Sequence, residues 1–202
     1  MRTISGLFDT YQHATRAVRA LGEAGIGTAD VSLIANNAEA LYPGDSSAVG
    51  KDTTAGAEVG ALLGGTGGLL AGLGVHAIPG LGPVIAGGWL FATVIGAVAG
   101  AGLGAATGGL IGLLTEAGIP KSDAHVYAEG VRRGGALVTA RVSEAQVETA
   151  TAVLAAQGAV DPADRRRHYE TEGWHAFDEA APEPTADEVR DDRRQPLFPP
   201  VV

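Results

Sequence analysis

The sequence predicts an α+β chain: a split, ferredoxin-like βαβ + αβαβ domain interrupted by a glycine-zipper helical hairpin. Three observations carry that prediction. A strand–cap–helix–glycine pattern occurs near the amino terminus and again after residue 135. Between the two copies, residues 54–117 are almost free of charge. Within that stretch, Gly56, Gly60, Gly64, Gly68 and Gly72 fall on every fourth residue, a spacing that has meaning only on a helix.

In the first copy, Thr3 to Phe8 is a β-prone run closed by Asp9, and Asp9 with Gln12 makes a capping-box pattern. The segment that follows places Ala14, Ala17, Val18 and Leu21 on one helical face, and Gly25 stops it. "DVSLIAN" (30–36) then reads as a second strand. The second copy repeats this grammar. "GALVTARV" (135–142) is a strand, Ser143 and Gln146 form the capping pair, and Val147, Ala150, Val153 and Leu154 make the apolar face of a helix ending at Gly158. A last strand is expected near Ala159 to Ala163, where Pro162 favours an edge position. Two such units together suit a sheet with helices on one face.

"SDAHVYAEGVRRGG" (122–135) predicts a short helix, capped by Ser122 or Asp123 and terminated by Gly134 and Gly135. Tyr127, Glu129, Arg132 and Arg133 on it form a candidate ligand or surface site, placed to line an anion pocket. Compensation of the helix dipole and a Glu–Arg surface pair account for the same residues without a ligand.

The apolar stretch predicts two helical arms flanking a turn at "HAIPGLGP" (76–83). The first arm runs from Ala55 to Val75. The second runs from Val84 to about Leu114 and carries Gly88, Gly96, Gly100, Gly104, Gly108 and Gly112, with Ala92 filling the one gap. In water each interior glycine costs roughly 1 kcal/mol relative to alanine. In hydrocarbon the helix is nearly obligatory, and bare glycine backbones gain close helix–helix contact. The glycines are therefore read as packing residues and the hairpin as self-associating. A stripe stepping four residues at a time drifts by about 40° per step, so a long series wraps or meets more than one neighbour.

A bilayer is the setting this favours. The first arm has 21 residues, about 31 Å of helix, close to one hydrocarbon thickness. Glu58 and Glu116 fall at the open end, and Trp89 falls beyond the turn, where an aromatic belt would lie. Lys51, Lys121, Arg132 and Arg133 flank the open end, which places both soluble halves in the cytoplasm. Burial of the hairpin inside a soluble oligomer is the alternative.

Composition removes several function classes. The chain has 202 residues, net charge −9 and no cysteine, so thiolate metal sites and cysteine nucleophiles are excluded. No segment is a basic patch, which argues against nucleic acid as a partner. The amino terminus has no apolar run after its arginine and so does not read as a secretory leader. "GGTGGLLAG" lacks the Lys-Ser/Thr of a phosphate loop. No pair among the five histidines has helical metal-ligand spacing; His168 and His175, with Glu170 and Glu172, leave only a weak metal possibility. No cofactor or catalytic residue is expected. The domain plan is 1–42 and 118–163 as the halves of the α/β domain, 43–53 as a polar linker, 54–117 as the hairpin, and 164–202 as a charged, extended or disordered tail.

The flanks "FDTYQHATRAVRALGEAGI", "DAHVYAEGVRRGGALVTARV" and "AVLAAQGAVD" resemble the bacterial general stress protein 17M-like family, with "YAEGVRRGG" the most specific stretch. "YETEGWHAFDEAAPEPT" (169–185) resembles the family's usual ending. The resemblance implies a stress-associated, membrane-linked protein that pairs a split α/β domain with a glycine-zipper insert and has no established reaction. The expectation is a non-enzymatic stress protein tethered to the cytoplasmic membrane by a self-associating hairpin. The alternative is a soluble ligand-sensing module oligomerised by the same hairpin.

Overall fold

A computed structural model describes residues 1–41, 73–92 and 109–194. The chain is α+β. Five strands, β1 (Arg2–Phe8), β2 (Val31–Asn36), β3 (Gly74–Ile78), β4 (Gly82–Gly88) and β5 (Ala136–Val142), form one sheet in the order β1-β5-β2-β4-β3. Every neighbouring pair is antiparallel. β1 and β2 are therefore parallel to each other, with β5 threaded between them. Strands from both ends of the sequence share one sheet.

Side-chain alternation divides the sheet into two faces. On one face Phe8, Leu33, Ile85 and Val138 share one core cluster with α1 (Tyr11–Glu23), which buries the Ala14, Ala17, Val18 and Leu21 stripe read from the sequence. On the other face Leu7, Ile34, Leu137 and Ala86 pack against α2 (Gly109–Glu116) and α3 (Lys121–Arg132). α4 (Val147–Ala156) lies beside α1 and buries Ala150 and Leu154. Gln146 Oε1 accepts from the Ser143 N–H at 3.2 Å and from its hydroxyl at 2.8 Å, in the turn leading into α4.

Several expectations are corrected. Thr10, not Asp9, caps α1: its hydroxyl accepts the His13 N–H at 3.2 Å, and Asp9 is turned to an arginine described below. α3 begins after Pro120 with no side-chain cap, and Asp123 instead pairs with Arg166 at 3.0 Å. The strand expected over 159–163 shrinks to one antiparallel bridge, Leu7 with Val160. Pro162 ends it by opening α5 (Pro162–Thr171), whose N-cap Asp161 accepts the Ala163 N–H at 2.7 Å. Proline at the first helical position has no N–H to lose. The segment read as an extended tail thus contributes α5 and also α6 (Ala186–Arg194), with Tyr169, Phe177 and Val189 buried.

The largest correction concerns the hairpin. The turn is where it was expected, but strands flank it. The Leu81 N–H donates to the Ile78 carbonyl at 3.0 Å, with Pro79 and Gly80 between them and φ +74° at Gly80, the signature of a type II turn. β3 and β4 continue from it, and β4 joins the sheet by pairing Asn36 with Val84 through Ser32 with Gly88. A single helical hairpin over 54–117 is therefore ruled out. Gly88 belongs to a strand, and Trp89 sits under the Arg141 guanidinium at 4.6 Å rather than in an aromatic belt. Gly112 lies on a helix, as expected. Gly56, Gly60, Gly64, Gly68, Gly72, Gly96, Gly100, Gly104 and Gly108, and the 43–53 linker, lie outside the described residues.

Candidate functional site

β1 ends at Phe8 beside the carboxyl end of α3, and the two join closely because both glycines there lack side chains. A Cβ on Gly135 would stand 2.7 Å from the Gly130 carbonyl and 2.9 Å from that of Phe8. Gly134, at φ +100°, turns the chain, and the Gly135 N–H closes the helix on the Gly130 carbonyl at 2.9 Å. α5 packs across this junction, and α6 covers it from the far side. Between them lies a cavity of about 90 Å³.

Ion pairs make its walls. Arg165, only 4% exposed, donates to Asp9 Oδ1 at 2.6 Å. The Arg133 guanidinium carbon lies 4.2 Å from the centre of the Tyr169 ring, and the group donates through Nε to Glu129 at 2.7 Å and pairs with Glu172 through its other arm. Burial works against the charge on Arg133, but the two carboxylates outweigh it and hold the guanidinium protonated well above its ordinary range. Burial pushes the Tyr169 phenol up, and the nearby Arg165 and Arg133 temper the rise. Asp192 of α6 is also raised, by burial and by Glu172, Glu129 and Glu188, against the pull of Arg133. Arg193, the last member, donates to the Gly134 carbonyl at 3.0 Å and to Glu39 at 2.6 Å.

The four residues singled out on the 122–135 segment are only partly brought together. Glu129 and Arg133 form the ion pair at the cavity, and of the four only Arg133 lines it. Tyr127 is buried; its phenol is raised by desolvation and eased by the Ser5 hydroxyl on β1. Arg132 reaches away, donating to the Pro182 carbonyl at 2.9 Å. His168 stands 3.5 Å from Glu172, while Glu170 and His175 are exposed. Among the described residues no group of three or more His, Asp or Glu is arranged to hold a metal ion. Arg165, Tyr169, Asp192 and Arg193 are not singled out in the sequence, while Asp9 is read there only as a helix cap and Glu172 only as part of a weak metal possibility. The signal for α5 was present in "DPADRRRHY", an Asp–Pro helix start.

Chemically, the wall is a balanced set of cation–carboxylate pairs around a tyrosine. Each arginine lining the cavity, Arg133, Arg165 and Arg193, is already held by a carboxylate. Comparison with protein-family profiles, curated proteins and solved structures found no match.

Proposed function

We propose that the chain is a non-enzymatic, self-associating protein of the bacterial stress-response type, working at the inner face of the cytoplasmic membrane. Its body has a ferredoxin-like core extended by the β3–β4 ribbon, and its glycine-rich stretches are the association elements. One observation carries this reading: β3 and β4 lie in the same sheet as β1, β2 and β5, so both glycine-rich stretches are rooted on one body. The stress-response part rests on the resemblance of the flanks. The non-enzymatic part is supported by the cavity, whose arginines are committed to carboxylates.

Contact with the membrane surface fits better than a double crossing. Leaving and returning through a bilayer takes about 40 residues as helix. Residues 42–72 and 93–108 supply 31 and 16 between fixed ends. Among the described residues no helix is long and apolar enough to cross. The test is Gly64, Gly68, Gly100 and Gly104 replaced together by Leu. Helix propensity and hydrophobicity both rise, so a generic apolar anchor would keep or strengthen its assembly. The proposal expects retained binding to anionic lipid vesicles and loss of crosslinked oligomers. Unchanged crosslinking would refute the packing role.

A ligand-sensing module is the second reading, favoured by the cavity alone. Its 90 Å³ holds about three waters or one small anion. Such an anion would have to compete with Glu172 for Arg133. Calorimetric titration with inorganic phosphate tests it, and an absence of heat at millimolar phosphate rejects an oxyanion of that kind.

A further inference from the structure

The segment after α5 follows an unusual path. Residues 172–185 run as an irregular strap over the second face of the sheet and end in α6. Only two apolar side chains anchor the strap deeply, Phe177 (6% exposed) and Val189 (0%). Trp174 adds an edge-on contact with the Tyr169 ring at 5.5 Å, and the other contacts that fasten the segment are polar. Arg190 Nε and Arg193 Nη1 take the two oxygens of Glu39 at 3.0 and 2.6 Å, and Arg132 holds the Pro182 carbonyl.

The body is shaped to receive it. A Cβ on Gly80 would stand 2.9 Å from Glu179 Cα and 3.0 Å from Phe177, and one on Gly134 would stand 2.6 Å from Arg193 Nε. The Glu179 carboxylate lies against the bare Cα of Gly109. These contact points share a location. Glu39 stands three residues before position 42, Gly80 turns the ribbon between the two glycine-rich stretches, and Gly109 directly follows position 108. One strap clasps the roots of both.

We infer that residues 172–194 form an ionic latch that restrains self-association by covering the surface made of Gly80, Leu81, Gly109 and Ile111 at the roots of the glycine-rich stretches. This rests on the self-association reading and adds its control. A segment with few apolar anchors and several solvent-reached polar bonds opens locally before the fold does. The Arg190 side of the Glu39 pair is solvent-reached and weakens as salt rises, whereas the Arg193–Glu39 contact is largely buried and is screened less. Opening removes Phe177 from its neighbours and bares the surface beneath.

The test uses the full chain with Glu39→Lys, which turns both attractions at Glu39 into repulsions. Amide hydrogen exchange over 186–194 should accelerate while β1 and β5 keep their protection, and crosslinked oligomers should increase severalfold. Adding Arg190→Glu and Arg193→Glu to Glu39→Lys restores the opposite charges and should return both readouts toward the original. Phe177→Ala, which leaves the charges alone, should release the strap by the other anchor and raise crosslinking as well. Accelerated exchange without a change in oligomers would overturn the latch. So would unchanged exchange in α6. Neither result touches the self-association reading, which fails only if the quadruple Gly→Leu variant keeps its oligomers.

Discussion

The ribbon β3–β4 and the helix α2 come from the same apolar, glycine-rich stretch, yet one became sheet and the other helix. Gly88 and Gly112 mark the contrast, since they belong to one four-residue series. Gly88 ends β4 at φ +97°, where a Cβ would stand 2.6 Å from Ser32 Cα and closer still to the Val31 carbonyl. Gly112 sits on α2, and a Cβ there would meet no described atom within 4 Å. Gly88 is required by backbone conformation and contact with β2; Gly112 is required by nothing among the described residues. A glycine that costs its helix stability and fills no tight space is what an association face needs. Spacing alone does not tell the two kinds apart.

The largest effect expected from this contrast is at Gly88. Gly88→Ala carries a left-handed backbone cost of about 1–2 kcal/mol and an overpacking cost of about 1–3 kcal/mol. A loss near 3 kcal/mol should lower the melting temperature by about 6–12 °C. A melting temperature within 2 °C or so of the parent would mean that β4 does not hold this register.

His76, on β3, gives a second test through pH. Its ring lies 4.2 Å from that of Phe91, and burial lowers its pKa below 6.5. The unfolded chain therefore takes up the proton before the folded ribbon does. The stability from neutral His76 is complete above pH 6.5 and is lost as pH falls through the folded value. His76→Leu should shrink the fall in melting temperature between pH 7.5 and 5.5. An unchanged fall would remove His76 from the packed ribbon.

Gly112→Ala should have the smallest effect, and one of opposite sign. Helix propensity alone offers about 1 kcal/mol, a rise of about 2–4 °C. A fall would show that the position is already filled within the monomer. The same variant should weaken crosslinking if Gly112 belongs to the association face.

The first face of the sheet was legible because its signals are local. The Ala14–Leu21 stripe and the β5–Ser143–α4 run each combine a strand, a turn and a helix with matching periods, and each element buries the face its own sequence marks. The second face depends on pairing over long distances. Val84 and Ile85 are as apolar as any helix residue, and it is pairing with β2 and β3 that makes them extend. "PG" marked the turn correctly, yet a turn signal does not say which elements it joins. The cavity was missed for a similar reason. Arg165 and Asp9 are 156 positions apart, and a charged stretch such as "DRRRHYE" looks solvated until its partners are known.

The central claim is that β4 pairs with β2, so the glycine-rich region is two stretches rooted on one sheet rather than one hairpin. The chain contains no cysteine, which allows a clean test. Ala35 and Ile85 are register partners across these strands. Such pairs lie about 4.5–5.5 Å apart at Cα, within the range a disulfide spans. A chain carrying Ala35→Cys and Ile85→Cys, oxidised at high dilution, should form an internal disulfide and migrate faster on a non-reducing gel. In a membrane-crossing hairpin, Ile85 would lie beside the distal turn, about 30 Å from β2. Free thiols under these conditions, or disulfides only between chains, would contradict the account.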